Sequence, residues 1–241
     1  MGAILVFTST LAVAIEKYLS SCFTTFGKGI LPLEKKTIHT PYGNSEVLCG
    51  DIALVLRHQG DTPPHRINFR SHLSALAILG VDHVIAIGSA GSLKQDIEPG
   101  SLVIPTDYYT MAPIPSIHDH SITHVQPGLS ASFARKLKSV IPAARLGGIY
   151  VQTRGPRIET VAEVRDLSRI ADIVGMTLAS EATLAIELGM EFAALCTVDN
   201  YANGLSDETL TYEHIVEVAG QYRERTDKIL QEIISRFAQG N

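Results

Sequence analysis

The sequence predicts an α/β fold: a single domain over residues 1–241 with a central mixed, largely parallel sheet flanked by helices. Short apolar runs of strand length recur along the chain, and apolar residues between several of them recur at helical spacing. Strands that alternate with helices favour a parallel sheet covered on both faces. Of the 241 residues, 45% are hydrophobic and 19% are charged, which suffices for the core of one large domain. There is no internal repeat and no linker-like shift in composition, so one domain is expected.

The predicted strands are runs in which apolar residues follow one another. They are Ala3–Phe7, Ile52–Leu56, His83–Ile87, Leu102–Ile104, Gly148–Val151, Ile173–Val174 and Phe192–Thr197. Such continuous runs are typical of strands buried on both faces of a parallel sheet.

The predicted helices carry an apolar stripe with a period of about 3.6 residues. They are Ile67–Leu79, Ser130–Val140, Ser180–Leu188 and the long segment Asp207–Phe237. Gly220 weakens the interior of the last helix and is a candidate bend. The segment Asp107–Gly128 has no periodicity and is rich in proline and histidine, which is typical of a lid or an interface loop.

Charge and cysteine content exclude several classes of protein. The net charge is −5, and the chain has no run of lysine and arginine, so a nucleic-acid partner is not expected. The three cysteines are an odd number without metal-type spacing, which indicates reduced thiols. No apolar stretch has the length or the flanking residues of a signal peptide or a membrane span. We therefore expect a cytoplasmic protein with no membrane partner.

Polar and small residues follow five of the predicted strands. These clusters are Arg57–Gly60, Gly88–Ser92, Thr153–Thr160, Val174–Thr177 and Thr197–Gly204. Each alone also fits an ordinary turn, a helix cap or a solvated side chain. Together they indicate a ligand site, because the ends of neighbouring strands in one sheet lie close together. A guanidinium such as that of Arg57 suits phosphate oxygens, and the small residues Gly88–Ser92 allow backbone N–H groups to approach an anion or a sugar.

The order of these segments and their residues resemble those of a known family, the trimeric-type purine nucleoside phosphorylases. The resemblance is to the methylthioadenosine and methylthioinosine phosphorylases in particular. The matching motifs are Thr40-Pro41-Tyr42-Gly43, Arg57-His58, Pro64–Arg70, Gly91-Ser92-Leu93, Pro99-Gly100, Gly155–Thr160 and Val174-Gly175-Met176-Thr177. The resemblance runs from about residue 40 to residue 204. It implies the nucleoside phosphorylase fold and cleavage of an N-glycosidic bond by inorganic phosphate as co-substrate, with no cofactor and no metal.

The resemblance also implies roles for individual residues around the phosphate and the sugar. The implied phosphate-binding residues are Arg57, Ser9 and Thr177, with His58 beside them and the backbone of Gly88, Ser89 and Ala90. Met176 is implied to lie against the ribose, and Ile158 occupies the position that packs on the purine. Tyr212 roughly matches a position near the 5′ group. His124 resembles a residue that reaches into a neighbouring subunit, which implies a homotrimer or a hexamer.

Base selection is implied by Glu159 and Asn200, the pair found in family members that take 6-oxopurines. An ionised Glu159 can accept the N1–H of such a base, and the amide of Asn200 can serve its O6 and N7. Adenine has no N1–H, so the carboxylate would meet an acceptor. We expect inosine, guanosine or methylthioinosine as substrate. If Asp199 turned inward it would accept from a 6-amino group, so methylthioadenosine stays open as an alternative.

One departure from the family leaves a second class of function open. The stretch Phe7–Thr10 lacks the usual glycine pair before the phosphate-binding hydroxyl, and side chains there limit how closely backbone approaches an anion. A nucleoside-binding protein with weakened catalysis is the alternative. A third possibility is hydrolysis with water in place of phosphate.

Overall fold

The computed structural model describes residues 4–8, 33–206, 217–218 and 220–238. Within these ranges one sheet contains eleven strands, and five α-helices pack around it. The strands are β1 Ile4–Thr8, β2 Glu34–Thr40, β3 Gly43–Cys49, β4 Ala53–Leu56, β5 His83–Ser92, β6 Leu102–Ile104, β7 Asp107–Thr110, β8 Arg145–Leu146, β9 Ile149–Gln152, β10 Ile173–Gly175 and β11 Glu191–Tyr201. The helices are α1 Phe69–Ile78, α2 Ala131–Val140, α3 Val161–Leu167, α4 Leu178–Glu187 and α5 Arg223–Ala238.

The sheet is mixed and largely parallel, so the predicted fold class is confirmed. The main path runs β2-β3-β4-β1-β5-β10-β9-β7, and β11 pairs with both β5 and β6. Strands β4, β1, β5 and β11 are parallel neighbours at its centre. The antiparallel pairs join β2 to β3, β3 to β4, β10 to β5 and β11 to β6.

Helices cover both faces of the central strands. Along β5, Val84 and Ala86 join a cluster that contains residues of α1 and α4, whereas Ile85 and Ile87 join a second cluster that contains residues of α2 and α5. Successive side chains of a strand point to opposite faces, and this alternation makes a continuous apolar run necessary in a strand with two covered faces.

Two strands are longer than the sequence predicts, and both extensions lie where ligand-binding residues are expected. The strand end predicted at Ile87 is wrong, because β5 continues through Ser92. The end predicted at Thr197 is also wrong, because β11 continues to Tyr201. The two extensions pair with each other from Cys196 opposite Gly88 to Tyr201 opposite Ser92, with an irregularity between Val198 and Asn200. Pairing between strands overrides the weak strand propensity of these small and polar residues.

The helices are close to their predicted positions, and polar caps explain their first residues. Asn68 and Ser130 each accept a hydrogen bond from the first turn of α1 and α2, respectively. Thr160 begins α3 with a reciprocal capping box that it forms with Glu163. In the C-terminal segment, Ile229, Ile233 and Phe237 are buried as predicted, while residues 207–216 lie outside the described ranges.

The hairpin of β2 and β3 and the short strand β7 carry no clear pattern in the sequence. Nearly all of β2 is exposed, so no alternation of apolar and polar residues marks it as a strand. The irregular segment Asp107–Gly128 begins with β7, which pairs with β9, and then continues without regular structure. Glu187 at the end of α4 holds this segment by accepting hydrogen bonds from Ser116 Oγ and the Ile117 N–H, both at 2.8 Å.

Candidate functional site

The site lies where β5 extends beyond the end of β1. Pairing of β1 with β5 ends at Phe7 opposite Ala86, and β10 reaches that edge of β5 only at Gly91 and Ser92. Between these points no described strand pairs with the edge, while β11 pairs with the opposite edge throughout. The described strands therefore leave Gly88–Ala90 without a neighbouring strand on this edge, which only the tertiary structure reveals.

Arg57 leaves the end of β4 and is buried against the first turn of α4. Its side chain is 1% exposed, and that of its partner Glu181 is 0% exposed. Nε donates to Oε1 at 2.6 Å, and Nη2 donates to Oε2 at 2.8 Å. Nη1 donates to the carbonyl of Ile87 at 3.0 Å, which joins the guanidinium to β5. Burial raises the pKa of Glu181, and the guanidinium opposes that shift.

Thr177 is the N-cap of α4, but strand β9 already satisfies several N–H groups of that helix end. The Tyr150 hydroxyl accepts from the N–H groups of Thr177 at 3.3 Å and Leu178 at 3.5 Å. The side-chain oxygen of Gln152 accepts from the N–H of Ser180 at 3.0 Å. An anion at this place would therefore bind the Thr177 side chain more readily than the N–H groups of the helix end. Thr177 is only 7% exposed.

Two histidines lie near Arg57, and burial lowers the pKa of both. His58 Nδ1 donates to the carbonyl of Thr62 at 2.7 Å. The lowered pKa of His58 has burial as its largest cause, and the charge of Arg57 acts in the same direction. Burial, followed by the charges of Arg57 and His58, lowers the pKa of His72 to about 4. Both imidazoles are therefore neutral at pH 7, and the sequence prediction had not included His72.

Asp199 and Asn200 occupy the irregular part of β11. Asp199 is 3% exposed and accepts hydrogen bonds from the side chains of Ser89 and Thr197. Burial raises the pKa of its carboxyl to about 6 in spite of these donors. Asn200 is 8% exposed, and its Nδ2 donates to the carbonyl of Tyr201 at 2.8 Å. Gly91 lies directly against Asn200: a Cβ on that glycine would approach Nδ2 to 3.1 Å.

Glu159 is 6% exposed and is held by neighbours on both of its sides. Thr153 Oγ1 donates to Oε1 at 2.5 Å, and Asn203 Nδ2 donates to the Glu159 carbonyl at 2.7 Å. The second bond ties the segment of Glu159 to the segment that follows Asn200. Glu159 and Asn200 are predicted to bind the same base, and a hydrogen bond joins the two chain segments that carry them.

Ile158 is half-buried beside Glu159, and Met176 packs on Gly155. Gly155 has a φ of +63°, and a Cβ there would collide with the Met176 sulfur. A glycine is therefore required for the methionine to keep its position.

The remaining predicted site residues are Ser9, Tyr212 and His124. Ser9 and Tyr212 lie outside the described residues. His124 is exposed, and its role in a neighbouring subunit's site stays a prediction.

The residues that sequence reasoning missed are those that hold the predicted ones: Glu181, Tyr150, Gln152, Thr153 and Asn203. The signal for Glu181 is an acidic residue one helical turn after Thr177, between apolar residues of the helix.

In the described ranges, no group of three or more histidine, cysteine, aspartate or glutamate side chains is placed to hold a metal ion. Of the helices in those ranges, none is long and apolar enough to cross a membrane.

Comparison with known proteins defines the class of this protein. Residues 24–235 match the family model described as the phosphorylase superfamily, and the chain belongs to that superfamily. A probable 6-oxopurine nucleoside phosphorylase of Archaeoglobus fulgidus is 40% identical over 223 residues, which cover 87% of this chain and 91% of that protein. A probable S-methyl-5′-thioinosine phosphorylase of Methanocaldococcus jannaschii is 33% identical over 226 residues, which cover 87% and 90%.

Among solved structures, a methylthioadenosine phosphorylase from an Antarctic soil metagenomic library matches with a TM-score of 0.84 and 22% identity, over 99% of this chain and 87% of that one. This likeness shows the nucleoside phosphorylase fold. The family resemblance drawn from the motifs is therefore confirmed.

Proposed function

We propose that this protein is a purine nucleoside phosphorylase that cleaves a 6-oxopurine nucleoside with phosphate, giving the free base and the pentose 1-phosphate. The observation that carries the choice of base is the tie between Asn203 and the Glu159 carbonyl, which keeps the Glu159 and Asn200 segments side by side. The names of the Archaeoglobus and Methanocaldococcus relatives, a 6-oxopurine and a thioinosine phosphorylase, support the same choice.

The base is recognised by Glu159 and Asn200. Glu159 Oε1 already accepts from Thr153, and the carboxylate has further lone pairs to accept the N1–H of hypoxanthine or guanine. Asn200 donates to the base at O6 or N7 once its Nδ2 turns away from the Tyr201 carbonyl. Asp199 contributes to substrate binding through the strand it shares with Asn200.

Phosphate binds beside Gly88, Ser89 and Ala90. The N–H and C=O groups of alternate strand residues face the same edge, so the N–H of Ser89 faces the edge on which Arg57 contacts the Ile87 carbonyl. Arg57 and Thr177 bind the anion with this backbone, and Ser9 and His58 complete the subsite. Met176 packs on the ribose, Ile158 on the purine, and Tyr212 lies near the 5′ group.

The reaction needs no covalent enzyme intermediate. The glycosidic bond loosens first, which leaves positive charge on the ribosyl group and negative charge on the purine. Phosphate held by Arg57 below C1′ stabilises the cation and then attacks, while Asn200 stabilises the charge on the leaving base. Catalysis is thus positioning together with preorganised electrostatics, with phosphate as co-substrate and no cofactor.

The test is the release of hypoxanthine from inosine, followed by absorbance with and without phosphate. Release that requires phosphate supports the proposal. Release without phosphate would instead indicate hydrolysis, and binding without release would indicate a nucleoside-binding protein. Inosine, guanosine, methylthioinosine and methylthioadenosine assayed side by side define the base and the 5′ group. Faster turnover of methylthioadenosine than of methylthioinosine would contradict the assignment of Glu159.

Replacing Asn200 with alanine should lower kcat/KM for inosine by about 100-fold, because one preorganised donor to the developing charge is lost. The control is Asp96→Asn, which changes an exposed side chain paired with Arg145 and should leave kcat/KM for inosine unchanged. Unchanged inosine phosphorolysis by the Asn200→Ala variant would refute the assignment.

We further propose that the protein is a cytoplasmic homotrimer, alone or as half of a hexamer, formed by the single domain over residues 1–241. Tyr109, Met111 and Ile122 are 46%, 62% and 96% exposed, which leaves apolar surface on the edge strand β7 and the loop after it. His124 in this loop would enter the neighbouring subunit's site. Light scattering should give about three or six times the chain mass of 26.1 kDa, and a monomer at assay concentration would contradict this assembly.

A further inference from the structure

We propose that Glu181 is the positioning residue of the phosphate subsite, because it orients Arg57 and holds Thr177 at the same time. This inference rests on the proposed function, since it takes Arg57 and Thr177 as phosphate ligands. Glu181 itself does not touch the substrate in this proposal.

The first step is the geometry of the ion pair. Both carboxylate oxygens of Glu181 accept from Arg57, at 2.6 Å from Nε and 2.8 Å from Nη2, and this fixes the plane and the rotation of the guanidinium. Nη1 is turned to the Ile87 carbonyl at 3.0 Å. An oxyanion bound by Arg57 would therefore meet the Nη1–Nη2 edge, which faces away from Glu181.

The second step is the link to Thr177. Glu181 stands in the first turn of α4, and its backbone N–H donates to the Thr177 carbonyl at 3.3 Å. The side chain of Glu181 thus holds Arg57, at the end of β4, and its backbone N–H holds Thr177, at the start of α4. Both contacts are buried, so water does not compete for them.

Charge and orientation make opposite predictions for the loss of this carboxylate. A negative charge next to the phosphate repels it, so on charge alone a neutral residue should strengthen phosphate binding. Orientation predicts weaker binding, because a glutamine presents an NH₂ group to one of the two arginine N–H groups and cannot reproduce the paired geometry. The sign of the change in the KM for phosphate therefore separates the two roles.

The experiment measures kcat and the KM values for phosphate and inosine in the full-length protein and in the Glu181→Gln and Glu181→Asp variants. Asp keeps the charge but is one methylene shorter, so it disturbs only the orientation. We expect the KM for phosphate to rise about tenfold in the Gln variant and less in the Asp variant, with the KM for inosine within about twofold. The KM for arsenate, a second oxyanion, should rise in parallel.

The control is Asp96→Asn, which breaks the exposed pair with Arg145 and should leave both KM values unchanged. A merely structural role for Glu181 would reduce the amount of folded enzyme, which lowers the apparent kcat and leaves both KM values unchanged. If the Gln variant does not fold, the Asp variant decides the question by the same measurement.

An unchanged or lowered KM for phosphate in the folded variants would overturn the inference while the proposed function stands. Absence of phosphate-dependent release in the unmodified protein would overturn the proposed function and this inference with it.

Discussion

The unmodified protein should become less stable as the pH rises through the pKa of Asp199, and replacing Asp199 with asparagine should abolish this decrease. The Asp199 side chain belongs to a residue only 3% exposed, and burial raises the pKa of its carboxyl from 3.8 to about 6. The hydroxyl groups of Ser89 and Thr197 donate to it, and these bonds only partly oppose the effect of burial. Asparagine has nearly the same shape and carries no charge.

The magnitude follows from the difference in pKa between the folded and unfolded chains. A carboxyl whose pKa is raised by folding favours the folded state when it is protonated. Its contribution is complete below the unfolded value of about 3.9 and is lost as the pH rises through the folded value, which for Asp199 is about 6. A difference of about two in pKa corresponds to about 3 kcal/mol, of which about 2 kcal/mol falls between about pH 4.5 and about pH 7.5.

The assay is urea unfolding of the unmodified protein and the Asp199→Asn variant at those two pH values. The free energy of unfolding of the variant, minus that of the unmodified protein, should increase by about 2 kcal/mol from the lower to the higher pH. Asp96→Asn is the control, because Arg145 lowers the pKa of the exposed Asp96; its titration then lies below both pH values, and the corresponding difference should stay nearly constant. A difference that is constant with pH, or one that shrinks as the pH rises, would refute the reasoning.

Three further changes test the packing around the site and the core. Gly175→Ala should lower stability by about 1–3 kcal/mol in thermal or urea unfolding, because its Cβ would collide with the Tyr150 hydroxyl. Gly220→Ala is the control and should cost no stability, since no described residue lies within 4 Å of the added Cβ; equal losses would argue against the collision. Ile233→Ala should cost about 2–5 kcal/mol, since this side chain is fully buried under the sheet, and a loss below about 1 kcal/mol would show that α5 is not docked there. Folding lowers the pKa of His72 to about 4, so its contribution to the free energy of unfolding is present above about pH 6.5 and is lost as the pH falls towards 4. His72→Gln should therefore reduce the fall in stability between these two pH values. An unchanged fall would contradict a buried neutral imidazole.

The sequence predicts that the candidate site lies where several strands end. It does not predict the contacts that hold the site residues in place. Arg57 follows a strand in both the prediction and the structure, because an apolar run of four residues fits only a buried strand at that place. The positions of Asp199 and Asn200 were misjudged, since they lie inside a strand whose polar residues give no strand signal. Glu181 went unnoticed because its role depends on a partner 124 residues away.

The sequence by itself determined the α/β class, the burial of the central strands and the family, because apolar runs, helical periodicity and local motifs are all properties of neighbouring residues. It also determined most helix starts, because a cap bonds to the turn that directly follows it. Only the tertiary structure decided that β5 continues past its described pairing with β1, which ends at Ala86, and that Glu181 pairs with Arg57. Both features depend on contacts between residues far apart in the chain. The energies of these contacts come from burial and from pairing across the sheet, so no local sequence pattern predicts them.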